Sequence, residues 1–192
     1  MPDNQKGLVY DLIVDHELRN VTVEMIDWFA DNMEKGYPLW CPEEHISLEW
    51  VLSPGKNGHL GAIQFAREYV SEGPVIELRA GFSDPDKMVN LPIFCEHIQG
   101  GGMPGPDGKM RSFLTHQYEA TSYGTRMRSV VHMENGWPRD TAEAFVRHNK
   151  AEMGRFAHFL PQLYKMWQVV KDPAINVPCC LKYPYKDINK PK

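Results

Sequence analysis

One amphipathic stretch near the C-terminal end, Ala142 to Val170, is patterned as a single long helix, and it constrains everything before it. Its apolar positions Phe145, Phe156 and Phe159 fall on one face, and such a stripe must be covered by another layer of structure. Thr141 stands where a side-chain cap is expected, and Glu143 lies in the first turn, where a carboxylate suits the helix dipole. Pro161 falls inside the helix and predicts a kink.

Strands supply the covering layer. Leu8–Val14 reads as an initial strand. Ala62–Val70 and Val75–Phe82 flank the turn Ser71-Glu72-Gly73-Pro74, and Ser112–Thr121 and Arg126–Met133 flank Ser122-Tyr123-Gly124. Residues 93–98 read as a further strand, and the glycine-rich Gly100–Gly108 as a flexible surface loop. Between the first strand and the hairpins, Asn20 or Thr22 caps a helix running to Lys35, with Gly36 as its stop. Tyr37–Pro42 is then a two-proline loop, and Pro42–His45 opens a short helical turn. Strands clustered between helices predict an α+β fold rather than repeated βαβ units. An antiparallel sheet curled round the long C-terminal helix leaves a cavity between the two. One domain over 1–192 is expected, with a core from about 8 to 170 and an extended tail, 171–192, holding Pro173, Pro178, Pro184 and Pro191.

The net charge of −4, with no block of like charge, excludes a nucleic-acid or anionic-membrane partner, both of which favour a basic stripe. No run approaches the roughly 20 apolar residues that span a bilayer. The start, Met1–Gln5, does not read as a secretory signal, so a soluble cytoplasmic protein is expected. Cys41, Cys95, Cys179 and Cys180 form no CxxC pair and read as reduced thiols.

Chemistry-bearing residues stand out against this frame. His148 and Glu152, four apart on the long helix, are neighbours within its apolar stripe. A carboxylate buried there needs a proton, a cation or a metal. The pair is equally readable as a helix-surface His–Glu pair whose carboxylate reaches water. His45 follows a rigid Trp-x-Pro-x-x-His segment suited to holding a ligand, or is a solvated residue at a helix start. Glu68 shares a strand face with the small Ala62 and Ala66, which leaves room for a ligand; alternation does not say which face is inward, and Glu77 on the next strand competes with it. Leu114, His116 and Tyr118 form the more apolar face of their strand, which places His116 inside. His132 and, more weakly, His97 compete with it. Two His and two Glu suit Zn²⁺ or another first-row metal better than Ca²⁺ or Mg²⁺. There is no HExxH motif, Walker loop or GxSxG elbow.

Together these segments resemble one family. Tyr37-Pro-Leu-Trp40-Cys-Pro42-Glu-Glu-His45 is similar to its Tyr-x-x-Trp-x-Pro-x-x-His segment, and Gly61–Tyr69 to its strand ending in Glu. Phe82-Ser-Asp84-Pro85, Gly124-Thr-Arg-Met127-Arg128-Ser129, His148-Asn-Lys-Ala-Glu152 and Leu160-Pro161-Gln-Leu163-Tyr164 resemble further blocks. The family is the 2,4-diacetylphloroglucinol hydrolase and phloretin hydrolase group, and the likeness runs over about residues 25–165.

The resemblance implies a Bet v 1/START-like helix-grip fold, in which a curved antiparallel sheet wraps a long C-terminal helix around an internal cavity. It implies Zn²⁺, with Fe²⁺ or Mn²⁺ as alternatives, held by His45, Glu68, His148 and Glu152. It also implies hydrolysis of the C–C bond between an acyl group and a phenolic or 1,3-diketone carbon. Tyr37 then occupies the place of a pocket tyrosine and His116 that of a pocket histidine, and Tyr37, His116 and His132 are the candidates for moving the proton. The expected partner is a small aromatic or diketone substrate, with a homo-oligomer left open. Val130-Val131-His132 departs from an aromatic-rich strand in the family, and Leu48 from a pocket Asn, which bears on the substrate. The rival readings are a non-catalytic helix-grip carrier of an apolar small molecule and a metal-dependent lyase or decarboxylase on the same pocket.

Overall fold

The structure is a computed structural model and describes residues 7–56, 58–71 and 73–171. The chain runs β1 (Leu8–Arg19), α1 (Val23–Asp31), a 3₁₀ turn (Met33–Lys35), α2 (Tyr37–Trp40), β2 (His45–Leu52), β3 (Ile63–Tyr69), β4 (Val75–Gly81), a 3₁₀ turn (Pro85–Lys87), β5 (His97–Gly101), β6 (Phe113–Thr121), β7 (Gly124–Pro138) and α3 (Arg139–Lys171). The strands form antiparallel sheets in the orders β1-β7-β6-β5 and β2-β3-β4. Gly81 N–H donates to Gly102 O at 3.3 Å and Ser83 N–H to Gly100 O at 3.0 Å, stitching β4 to β5. The result is a curved antiparallel layer folded round α3, the α+β helix-grip arrangement expected.

The core lies where α1, α2 and α3 meet the concave side of that layer. The buried face of α3 passes through Ala142, Met153, Phe156, Leu160 and Leu163, and the same stripe carries His148, Asn149 and Glu152. Phe29 of α1 meets Trp40, Phe156 and Phe159 edge-on, with ring centroids 5.4–5.6 Å apart, the geometry that aromatic quadrupoles favour. Gly36 lets Phe159 and Leu163 close on the start of α2, since a Cβ there would stand 2.6 Å from Leu163 Cδ2.

Several local expectations change. Thr22 does cap α1, its Oγ1 accepting from Met25 N–H at 3.2 Å, but the helix ends at Asp31 and a 3₁₀ turn completes the path to Gly36. Tyr37–Trp40 is a turn of helix rather than a loop, with Pro38 in its first turn. His45 begins a strand, not a helix. The strand expected at 93–98 lies at His97–Gly101. α3 starts at Arg139, directly after β7, so Thr141 is not its cap, and the helix continues through Pro161 to Lys171. Residues 172–192, including Cys179, Cys180 and most of the expected tail, lie outside the described residues. Cys41 and Cys95 are buried free thiols. Among the described residues no helix is long and apolar enough to cross a membrane.

The glycine run is the largest correction. Gly100 and Gly101 are strand residues in tight backbone contact, not a flexible loop. A Cβ on Gly100 would lie 2.3 Å from Leu114 O, on Gly101 2.4 Å from Gly81 O, and on Gly102 2.2 Å from Ser112 O. Gly100 also has φ of +116°, which L side chains rarely adopt. Gly100→Ala should therefore lower unfolding stability by about 2 kcal/mol or more, read as a lower urea midpoint. A midpoint matching the parent would show that the crossing tolerates a side chain.

The outer face of β6 is covered too. Gln117 donates to Pro92 O and accepts from Phe94 N–H, both at 2.7 Å, while Met88 and Met110 pack on Phe113 and Val130. The segment between β4 and β6 thus roofs this face, and the opposite face carries Leu114 and His116 onto the cavity, as their apolar alternation predicts.

Candidate metal centre

The β2–β3 register sets His45 opposite Glu68, and both side chains are buried. α3 crosses this hairpin with His148 and Glu152 one turn apart and also buried. His45 Nε2 lies 3.4 Å from Glu152 Oε2 and 3.9 Å from Glu68 Oε2. His148 Nε2 lies 3.8 Å from both Glu68 Oε1 and Glu152 Oε2. Donor atoms of His45, Glu68 and His148 all fall within 4.8 Å of one another. Tetrahedral Zn²⁺ with bonds of about 2.0–2.1 Å has ligand–ligand edges of roughly 3.4 Å, close to the separations among His45, Glu68 and His148, and Glu152 Oε2 stands beside both imidazoles as a fourth candidate donor.

Each imidazole is oriented from behind. His45 Nδ1 donates to Tyr37 O at 3.1 Å, and its ring stacks on Tyr37 with centroids 4.1 Å apart and planes 5° from parallel. His148 Nδ1 donates to Glu44 Oε2 at 2.6 Å. Both Nε2 lone pairs therefore turn to the centre, the arrangement in which a second carboxylate or carbonyl fixes a metal-binding histidine. His45 Nε2 is buried with no hydrogen-bond partner, a costly state for a polar atom unless a cation is its partner. Tyr37 OH donates to Glu68 Oε2, Asn149 Nδ2 to Glu152 Oε1 at 3.0 Å, and Trp40 Nε1 to Glu152 O at 2.7 Å.

Burial raises the Glu68 carboxyl above its ordinary value, with the Glu152 charge adding to it against the Tyr37 bond. Burial works to raise Glu152 too, but His45 beside it and the charge of His148 hold it below the usual range. Burial disfavours a charged His148, yet Glu152, Glu68 and Glu44 outweigh this and raise it. The Tyr37 hydroxyl is raised by burial and by Glu68, so it stays a neutral donor.

The centre opens on an apolar cavity of about 450 Å³ between the sheet and α3. Glu68 lines both, and Phe82, Leu114, Met127, Val131 and Met153 form part of its walls. His116 also lines it; though enclosed by protein it faces this space, and burial pulls its imidazole down to about 4.

The structure thus brings together Tyr37, His45, Glu68, His148 and Glu152, with His116 on the adjoining cavity. His132 falls elsewhere: it points to the outer face of β7 and pairs with Asp11 Oδ1 at 2.7 Å, away from the cavity, so it is no candidate for moving the proton. Glu77 lies on the outer face of β4, exposed and 3.7 Å from Arg67, and does not compete with Glu68. His97 is stacked on Tyr118 near Asp27. Glu44, Asn149, His16 and Ser129 were not singled out from sequence. For Asn149 a signal existed, since positions 148, 149 and 152 form one contiguous polar patch on the buried face of a helix.

Residues 5–137 match the family described as the DAPG hydrolase PhiG domain. The chain belongs to this family. The PhiG match spans Tyr37, His45, Glu68 and His116 and ends before α3, so His148 and Glu152 join the centre on geometry. Comparison with curated proteins yields no match. Solved structures place the PhiG fold among Bet v 1/START-like proteins. A START superfamily protein from Mycobacterium smegmatis is 16% identical with a TM-score of 0.53, covering 81% of this chain and 99% of its own. Ginseng major latex-like protein 151 from Panax ginseng is 12% identical with a TM-score of 0.53, covering 81% and 100%. Protein NE0264 from Nitrosomonas europaea is 14% identical with a TM-score of 0.52, covering 81% and 97%. At these identities the likeness is one of fold.

Proposed function

We propose that this member of a hydrolase family is a metal-dependent enzyme that cleaves the C–C bond between an acyl group and a phenolic or 1,3-diketone carbon. The observation that carries the reading is the buried, unpartnered Nε2 of His45 within a ring of carboxylate and imidazole donors at the edge of an apolar cavity. His45, Glu68, His148 and Glu152 would hold the ion; two nitrogens and two carboxylates favour Zn²⁺, with Fe²⁺ or Mn²⁺ next. When bound, such an ion supplies Lewis acidity towards an acyl carbonyl and an acidified water.

The chain's own residues supply the rest. The apolar walls take a flat ring out of water, which strengthens every polar interaction inside. The neutral Tyr37 hydroxyl fixes Glu68, and His116 offers a ring nitrogen to the bound molecule. The overall reaction adds water across one bond: the acyl carbon gains hydroxyl and leaves as a carboxylic acid, and the ring carbon gains hydrogen. A keto-phenol ring carries the developing negative charge on its oxygens, which is why this substrate class fits.

Metal analysis of the purified chain, followed by incubation with mono- and diacetylphloroglucinol and a simple 1,3-diketone, tests this. Stoichiometric zinc, iron or manganese with released acetate is expected. No acetate from these substrates, but carbon dioxide from a carboxylated phenol such as phloroglucinol carboxylic acid, would indicate a decarboxylase. The apolar cavity also favours a second reading, a carrier of a small apolar molecule; tight ligand binding unaltered by a chelator, without turnover, would establish it and overturn the first.

A further inference from the structure

We infer that His116 presents an Nε2–H donor to the cavity, its tautomer set by a hydrogen-bond network that diverges from His16, through Asn149 to Glu152 on one side and through Ser129 to His116 on the other. The role of that donor rests on the hydrolase reading above; the assignment itself does not.

Each donor and acceptor in the network can be assigned in turn. An ionised carboxylate only accepts, so Asn149 Nδ2 must be the group facing Glu152 Oε1 at 3.0 Å. That turns Asn149 Oδ1 towards His16 Nε2, 3.0 Å away. An amide oxygen also only accepts, so His16 Nε2 carries the hydrogen. The same nitrogen lies 3.2 Å from Ser129 Oγ; its one hydrogen is shared between the two oxygens, and having no lone pair it cannot accept from the hydroxyl. The hydroxyl's own hydrogen is left for His116 Nδ1, 3.0 Å away. Nδ1 thus accepts, and the single hydrogen of a neutral ring sits on Nε2, the nitrogen left for the cavity. Ser129 and Asn149 are 0% exposed, so water does not compete for these bonds. Burial keeps the His116 ring neutral at pH 7.

A neutral N–H donor in an apolar cavity selects an oxygen acceptor on its ligand, such as a keto or phenolate oxygen of an acylated ring. It stabilises charge that develops on that oxygen as the ring carbon departs, the role of a preorganised donor rather than of an imidazolium acid. Ser129 and His16 act through His116 and are positioning residues. Their link to Glu152 makes the donor part of the same framework as the metal centre.

Long-range ¹H–¹⁵N spectra of ¹⁵N-histidine-labelled full chain, metal-free and with added Zn²⁺ at neutral pH, test the assignment. The parent should show His116 with a bare Nδ1 and a protonated Nε2. Ser129→Ala should release the ring into both tautomers. It should also lower kcat on acetylphloroglucinol about tenfold at unchanged KM and zinc content, the scale of one lost hydrogen bond. A protonated Nδ1 or an imidazolium in the parent overturns the inference, as does an unchanged tautomer in Ser129→Ala. Should that variant not fold, the parent spectrum alone decides. The expected tautomer in a chain without cleavage activity would sink the hydrolase reading and leave the assignment standing.

Discussion

On the proposed function, His45→Ala should empty the centre of its ion and lower acylphenol cleavage by on the order of a thousandfold or more, the scale expected when a metal's contribution is lost outright. The geometry explains why this position matters most. His45 Nε2 is the buried donor with no other partner, and it approaches both carboxylates. Its loss leaves Glu68 and Glu152 facing each other across a cavity with one imidazole between them. Glu44→Ala provides the graded contrast: His148 keeps its place on α3 but loses the carboxylate behind Nδ1, so zinc affinity should fall by about 10–100-fold. Zinc titration of both variants, alongside cleavage rates, checks this. A His45→Ala protein that retains full zinc and full turnover removes this residue from the centre.

Added metal should produce the largest change in stability. An ion bound only by the folded chain stabilises it by about 4 kcal/mol when present at a thousandfold excess over its dissociation constant. For a chain of this size that raises Tm by roughly 8–16 °C. The two buried carboxylates give the reason: in the metal-free protein Glu68 is pushed towards protonation by burial and by its neighbour, a cost the dication relieves. Thermal unfolding with and without Zn²⁺, and again after chelation, reads the shift. It should vanish in a Glu68→Gln, Glu152→Gln double variant; a shift that persists there would place the ion elsewhere.

Parts of this site are written in local patterns and parts are not. The His148–Glu152 pair is legible because helical spacing and the surrounding phenylalanines place both on the buried stripe. His116 is legible for the same kind of reason, through alternation along β6. Glu68 is only half legible. Both faces of β3 look alike in polarity, and the register with β2 across from His45 settles which one turns in. β2 is hidden because, of its residues, only His45 and Leu48 are buried, too sparse a pattern to read as a strand. His132 misleads because Val130 and Val131 flank it alike, whereas its outward aim follows from the pairing of β7 with β6. The glycine run reads as a loop because its tight neighbours, Leu114 and Gly81, are distant along the chain and meet it only in the finished sheet.

The donors come from two places far apart in the chain: His45 and Glu68 on the β2–β3 hairpin, His148 and Glu152 on the closing helix. On a ribosome the hairpin emerges with half a chelate, too weak to hold an ion against cellular ligands. Only when α3 has been made and has docked does the second half arrive. Under the proposed function, metallation would be a late event in the life of the chain, and an occupied centre would certify that the molecule has been completed to at least residue 152.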